Sequence, residues 1–67
     1  MALLTSDIEG WLSKHPELNH RRDRILEEVR KEADAEGAVA SGVVRQIMGD
    51  ETSGQLFREL FERWSSR

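Results

Sequence analysis

A broad apolar stripe near the end of the chain constrains the fold more than any other feature of the sequence. Its members recur at helical spacing and lie on one face of a predicted α-helix: Leu56, Phe57, Leu60, Phe61 and Trp64. Polar residues take the opposite face: Gln55, Arg58, Glu59, Glu62 and Arg63. Such a helix is not stable alone in water, so the rest of the chain or a partner protein must cover its stripe.

The rest of the chain predicts further short helices and an all-α fold. Apolar residues at helical spacing are followed each time by a helix-ending residue, namely Pro16, Gly37 and Gly49. We therefore expect a compact bundle of three to four short helices, over about 5–15, 20–36, 41–48 and 52–64. The β-branched residues of the third segment also allow a strand, but the sequence shows no second strand to pair with it.

The length and composition indicate one small helical domain that spans residues 1–67. The chain has no cysteine, so disulfides and thiolate metal sites are excluded. No apolar run is long enough to cross a membrane, and the N-terminus lacks the basic and apolar segments of a signal peptide. We therefore expect a cytoplasmic protein that does not act on membranes.

The sequence favours binding over catalysis. It contains no glycine-rich phosphate loop and no nucleophile motif, and a chain of 67 residues has little room for a catalytic pocket. His15 and His20 flank a proline turn without the i,i+4 spacing of a helical metal site. We expect no enzyme activity, no cofactor, no metal and no small-molecule substrate.

The leading hypothesis is a non-catalytic protein-binding, regulatory or adaptor module. The aromatic stripe of the last helix is wider than the narrow apolar face of the second helix can cover. Aromatic side chains at such positions often serve as interface anchors. The expected protein-binding residues are Trp11, Phe57, Phe61, Trp64 and Arg58, and the partner is another protein or a second copy of the chain in a homodimer.

The alternative hypothesis is a helix-turn-helix regulator that binds nucleic acid. A short helix, a glycine and a longer helix follow one another from Ser41 to Trp64, which is the layout of that motif. The candidate phosphate-binding residues are Arg21, Arg22, Arg24 and Arg45. The net charge of −3 and the two glutamates on the outer face of the last helix make nucleic acid the less favoured partner.

Overall fold

The computed structural model describes the backbone of residues 2–65 and the side chains of residues 2–63. Four helices dominate it: α1 (Thr5–Ser13), α2 (Asn19–Glu32), α3 (Ser41–Met48) and α4 (Asp50–Ser65). A 3₁₀ turn (Pro16–Leu18) lies in the connector between α1 and α2. The mainly helical fold is as predicted, and the third helix has the predicted bounds.

A two-stranded sheet is the part of the fold that was not predicted. Strand β1 (Ala2–Leu4) pairs antiparallel with β2 (Ala38–Ala40), with Leu3 opposite Val39. Neither strand was predicted, whereas the third segment, for which a strand was considered, is the helix α3. Both strands are three residues long, too short for alternation to be visible in the sequence.

The second helix ends at Glu32, four residues before its predicted end. Ala33 already has an extended backbone, with ψ of 144°. The Asp34 carboxylate then accepts backbone N–H groups from Glu36 (2.8 Å) and Ala38 (3.0 Å), which offers the chain an alternative to helical hydrogen bonds. Gly37, expected to end the helix, lies in the following turn with φ of 79°.

The same turn is tied to the start of α1. The Gly37 carbonyl accepts the backbone N–H of Thr5 (2.8 Å) and the Thr5 hydroxyl (2.9 Å). These bonds and the strand pairing join the N-terminal end of the chain to its middle. These contacts fix the position at which the first helix begins. Along the chain, α1 packs on α2, α2 on α3 and α3 on α4.

The two halves of the chain repeat one pattern of burial. Each begins with a three-residue strand that runs directly into a helix starting with a hydroxyl residue, Thr5 or Ser41. Equivalent positions are buried in both halves, and the pairs are Leu3 and Val39, Ile8 and Val44, and Leu12 and Met48. A longer helix follows in each half, α2 or α4. The fold is thus two βαα units that share one core.

One core joins all four helices and both strands. Its buried apolar residues are Leu3, Ile8, Trp11, Leu12, Ile25, Leu26, Val29, Val39, Val44, Met48, Leu56 and Leu60. Ser53 is the buried polar residue of α4, and its hydroxyl donates a 2.6 Å hydrogen bond to the Gly49 carbonyl. The bond fixes the turn between α3 and α4, and so the direction in which α4 leaves the core.

Candidate protein-binding surface

The last helix carries more apolar surface than the core takes up. Leu56 and Leu60 are buried, with 0% and 3% of their surface exposed. Phe57 is half-buried against the core, and Phe61 is 62% exposed. Each phenylalanine follows a buried leucine and lies about 100° further round the helix. The stripe therefore continues past the core onto a surface that we call the α4 aromatic flank, formed by Phe57 and Phe61.

The neighbouring helices explain why this flank stays uncovered. The first helix contacts the other side of α4 through a side chain, since the Trp11 indole N–H donates a 2.7 Å hydrogen bond to the Glu59 carboxylate. Glu59 lies about 160° round the helix from Phe61. The third helix has eight residues and α4 has sixteen, so α3 cannot cover α4 along its whole length. The flank is left to solvent for geometric reasons.

Leu4 is the other large hydrophobic residue that is exposed in the described part of the chain, at 47%. It lies on β1, and scattered apolar residues of this kind are ordinary on protein surfaces. Phe61 differs because a second aromatic ring, Phe57, lies one helical turn away on the same flank. Phe57 and Phe61 together form a continuous apolar patch, whereas Leu4 lies alone.

A charged pair borders the α4 aromatic flank. Arg58 and Glu62 are exposed, lie one helical turn apart, and are about 60° and 100° round the helix from Phe61. They separate the flank from the α1 side of α4, where Arg58 lines a groove with His15 and Glu62 lines one with Trp11. Within residues 2–63 neither side chain forms an ion pair. An apolar centre with charged groups of both signs at its edge is the usual composition of a protein-binding surface.

Trp11 lies in a different place from the one expected of an interface residue. It is 4% exposed and belongs to the core, and its indole N–H is bonded to Glu59. Trp11 therefore helps to position α4 and lies away from the α4 aromatic flank. The side chain of Trp64, the other expected tryptophan, lies outside the described residues.

His15 extends the contact between α1 and α4 into a small polar cluster. Its ring stacks on Trp11 with a centroid distance of 4.1 Å, and its two nitrogens lie 3.2 Å from carboxylate oxygens of Glu17 and Glu59. A Glu17 backbone N–H and the His15 ring stabilise the Glu17 carboxylate and hold its pKa below the ordinary value. Only the doubly protonated ring can donate to both carboxylates at once. Sequence reasoning missed this cluster because Glu59 is distant from His15 in the chain.

A groove of about 500 Å³ lies between α1 and α4, on the side of the His15 cluster. Its lining combines two apolar residues, Trp11 and Leu60, with charged residues of both signs, Lys14, Glu59, Glu62 and Arg63. Because Trp11 and Glu59 are bonded to each other, this side of α4 is already engaged within the chain. Among the described side chains, Phe57 and Phe61 of the α4 aromatic flank have no comparable contact with α1.

Three of the four candidate nucleic-acid residues contact other described residues of the chain. The Arg21 guanidinium donates a 3.1 Å hydrogen bond to the Met48 carbonyl, where a cation complements the end of α3. Arg45 lies 2.6 Å from Asp50, and this contact holds the pKa of the Asp50 carboxyl below its ordinary value. Arg24 lies 3.8 Å from Glu28. Three of the four arginines thus have a structural contact, and Arg22 is half-buried.

The junction of α3 and α4 is tighter than the turn of a helix-turn-helix. A single residue, Gly49, separates the two helices, with φ of 89° and ψ of 161°. The DNA-binding motif uses a turn of about three to four residues. The local geometry therefore gives no support to that motif beyond the order of the elements.

The residues considered for metal binding do not come together. His15 contacts Glu17, whereas His20 lines a separate groove with Arg21 and Arg24. In the part of the chain that the structure describes, no group of three or more His, Asp or Glu side chains is placed to hold a metal ion. The same part contains no helix with the length and apolarity needed to cross a membrane.

Comparison with protein-family models gives no match, and comparisons with curated proteins and with solved structures also give none. The functional argument therefore depends on the geometry of the chain itself.

Proposed function

We propose that this protein is a non-catalytic, cytoplasmic binding module that holds another protein through the α4 aromatic flank. The observation that carries the proposal is the 62% exposure of Phe61 beside half-buried Phe57 on a helix whose other side is packed on the core. The proposal includes a regulatory or an adaptor role, and the identity of the bound protein determines which of the two the module has.

Covering the exposed part of the Phe61 ring would contribute a substantial part of the binding free energy of a complex. A buried aromatic side chain removes roughly 150–250 Å² from water, so covering the exposed part of Phe61 removes on the order of 120 Å². At about 25 cal/mol per Å², this stabilises a complex by about 3 kcal/mol, or roughly a hundredfold in affinity. One ring can therefore act as the anchor of an interface.

Site-specific photo-crosslinking tests this proposal. The photoreactive residue p-benzoylphenylalanine replaces Phe61 in one variant and Lys31 in a control, because Lys31 is a well-exposed residue of α2. We expect a protein adduct from position 61 and none from position 31. An excess of unmodified chain should suppress the adduct, whereas an excess of the Phe61→Ser chain should not. Equal adducts at both positions, or none at either, would overturn the proposal.

A further inference from the structure

We propose that the partner of the α4 aromatic flank is a second copy of this chain, and that the two α4 helices pair antiparallel through Phe61, about a two-fold axis at the height of Leu60 along the helix. This inference rests on the proposed function and specifies its partner. It follows from the order of residues along one side of α4, where aromatic and charged positions are self-complementary.

The charges on α4 select the antiparallel arrangement. In an antiparallel pair centred on Leu60, each residue faces the one at the same distance on the other side of the axis. Arg58 of one copy therefore faces Glu62 of the second copy, and the same contact occurs twice. A parallel pair would place the two copies of each residue at the same height along the helices, so that Arg58 would be level with Arg58 and Glu62 with Glu62. Opposite charges attract in the first arrangement and like charges repel in the second.

The same axis brings the aromatic rings together. Phe61 lies one residue from Leu60, so the two copies of Phe61 are displaced by about 3 Å along the helix direction. Phe57 lies three residues to the other side of Leu60, and each Phe57 is displaced by about 3 Å from Phe61 of the second copy. The four rings thus form one continuous row at the centre of the pair, with the Arg58–Glu62 contacts at its border.

The opposite side of α4 is not available for this contact. The Glu59 carboxylate accepts a 2.7 Å hydrogen bond from the Trp11 indole and lies 3.2 Å from the His15 ring, so these polar contacts join that side to α1 and its connector. Arg58 and Glu62 have no ion-pair partner within the described side chains, and an antiparallel second copy supplies one for each. A contact along one helix is smaller than a standard interface of about 1,600 Å², so we expect weak, micromolar or weaker association.

The inference is tested by reversing the charge of Arg58 or Glu62 and measuring self-association by sedimentation equilibrium. The measurements are made at low salt and at protein concentrations up to millimolar. Arg58→Glu and Glu62→Arg should each weaken the dimer about tenfold or more, because two attractive contacts become repulsive. An equimolar mixture of the two variants should associate about as well as the unmodified chain, since every contact again joins opposite charges. Lys31→Glu is the matched control: it changes the net charge as Arg58→Glu does, on a different helix, and should leave association unchanged.

The outcomes separate this inference from the proposed function. A chain that stays monomeric at millimolar concentration, or a mixture no more associated than either variant alone, overturns the second copy as partner. If position 61 still gives a competable adduct with a different protein, the proposed function remains. If there is neither a dimer nor an adduct, both fall. Circular dichroism of each variant confirms that these exposed substitutions leave the helices folded.

Discussion

The hydrogen bond between Trp11 and Glu59 should couple α1 to α4 measurably, and replacing Trp11 with phenylalanine tests it. The indole N–H lies 2.7 Å from the Glu59 carboxylate, while the ring itself is 4% exposed. Phenylalanine keeps an aromatic ring in the core but has no N–H. The substitution therefore removes one donor and a limited amount of packing.

The expected loss has two parts. A hydrogen bond to a charged acceptor contributes about 1.5–3 kcal/mol, but the Glu59 side chain is 47% exposed, so solvent screening reduces its share to about 1 kcal/mol. The smaller ring loses roughly another 1 kcal/mol of apolar burial. The total of about 2 kcal/mol compares with a stability of about 3–10 kcal/mol expected for 67 residues. The variant should fold with visibly lower stability.

A double-mutant cycle separates the two parts. Trp11→Phe, Glu59→Ala and the double variant are unfolded in urea and followed by far-ultraviolet circular dichroism. We expect a coupling free energy of about 1 kcal/mol. Glu51→Ala, an exposed substitution on the same helix, is the control and should be additive with Trp11→Phe. A coupling below about 0.4 kcal/mol, the usual error of additivity, would refute the idea that this bond holds α4 in place.

Five other results are expected. In urea unfolding, Gly49→Ala should lower the free energy of unfolding by about 1–3 kcal/mol, because few residues other than glycine adopt φ of 89° with ψ of 161°. Gly10→Ala should raise it by about 1 kcal/mol, because alanine favours the helix and its Cβ would meet nothing within 4 Å. Ser53→Ala should cost about 1 kcal/mol through the lost bond to the Gly49 carbonyl, and an unchanged urea midpoint would contradict this. The backbone N–H groups of Ala38 and Glu36 lower the pKa of Asp34, so its stabilisation is present above the ordinary aspartate pKa and is lost as pH falls through the lowered value. Asp34→Asn should therefore make stability less dependent on pH below about pH 4, and an equally steep acid transition would exclude this linkage. Duplex DNA should show no binding by fluorescence anisotropy even at low salt, and steep, salt-sensitive binding would support the nucleic-acid hypothesis instead.

Helix positions could be predicted where a local signal was sufficient. The third helix was correctly placed because its apolar residues recur at helical spacing and Gly49 follows them. The second helix was predicted to be too long because the Asp34 carboxylate accepts two backbone N–H groups and ends the helix. The spacing of apolar residues does not reveal such a hydrogen bond. The strands were missed because their pairing depends on Leu3 meeting Val39, which is far away in the sequence.

The candidate surface could be predicted only in part for the same reason. The width of the α4 stripe predicted more aromatic surface than the core covers; among the described side chains Phe61 is exposed, whereas Trp11 is buried. Local spacing could not show that Trp11 would be buried, because its partner Glu59 lies 48 residues further along the chain. Tertiary contacts of this kind decide which of several aromatic residues reaches the surface.

The repeated βαα pattern gives an internal comparison for the exposed ring. The long helix of the first half, α2, buries its large apolar residues, Ile25, Leu26 and Val29, and exposes only polar groups. It occupies the same place in its unit as α4 does in the second. A helix in that place can therefore complete the core without an exposed aromatic residue. Folding of the second unit therefore does not need Phe61 on the surface, and this is consistent with the contact to another molecule that we propose.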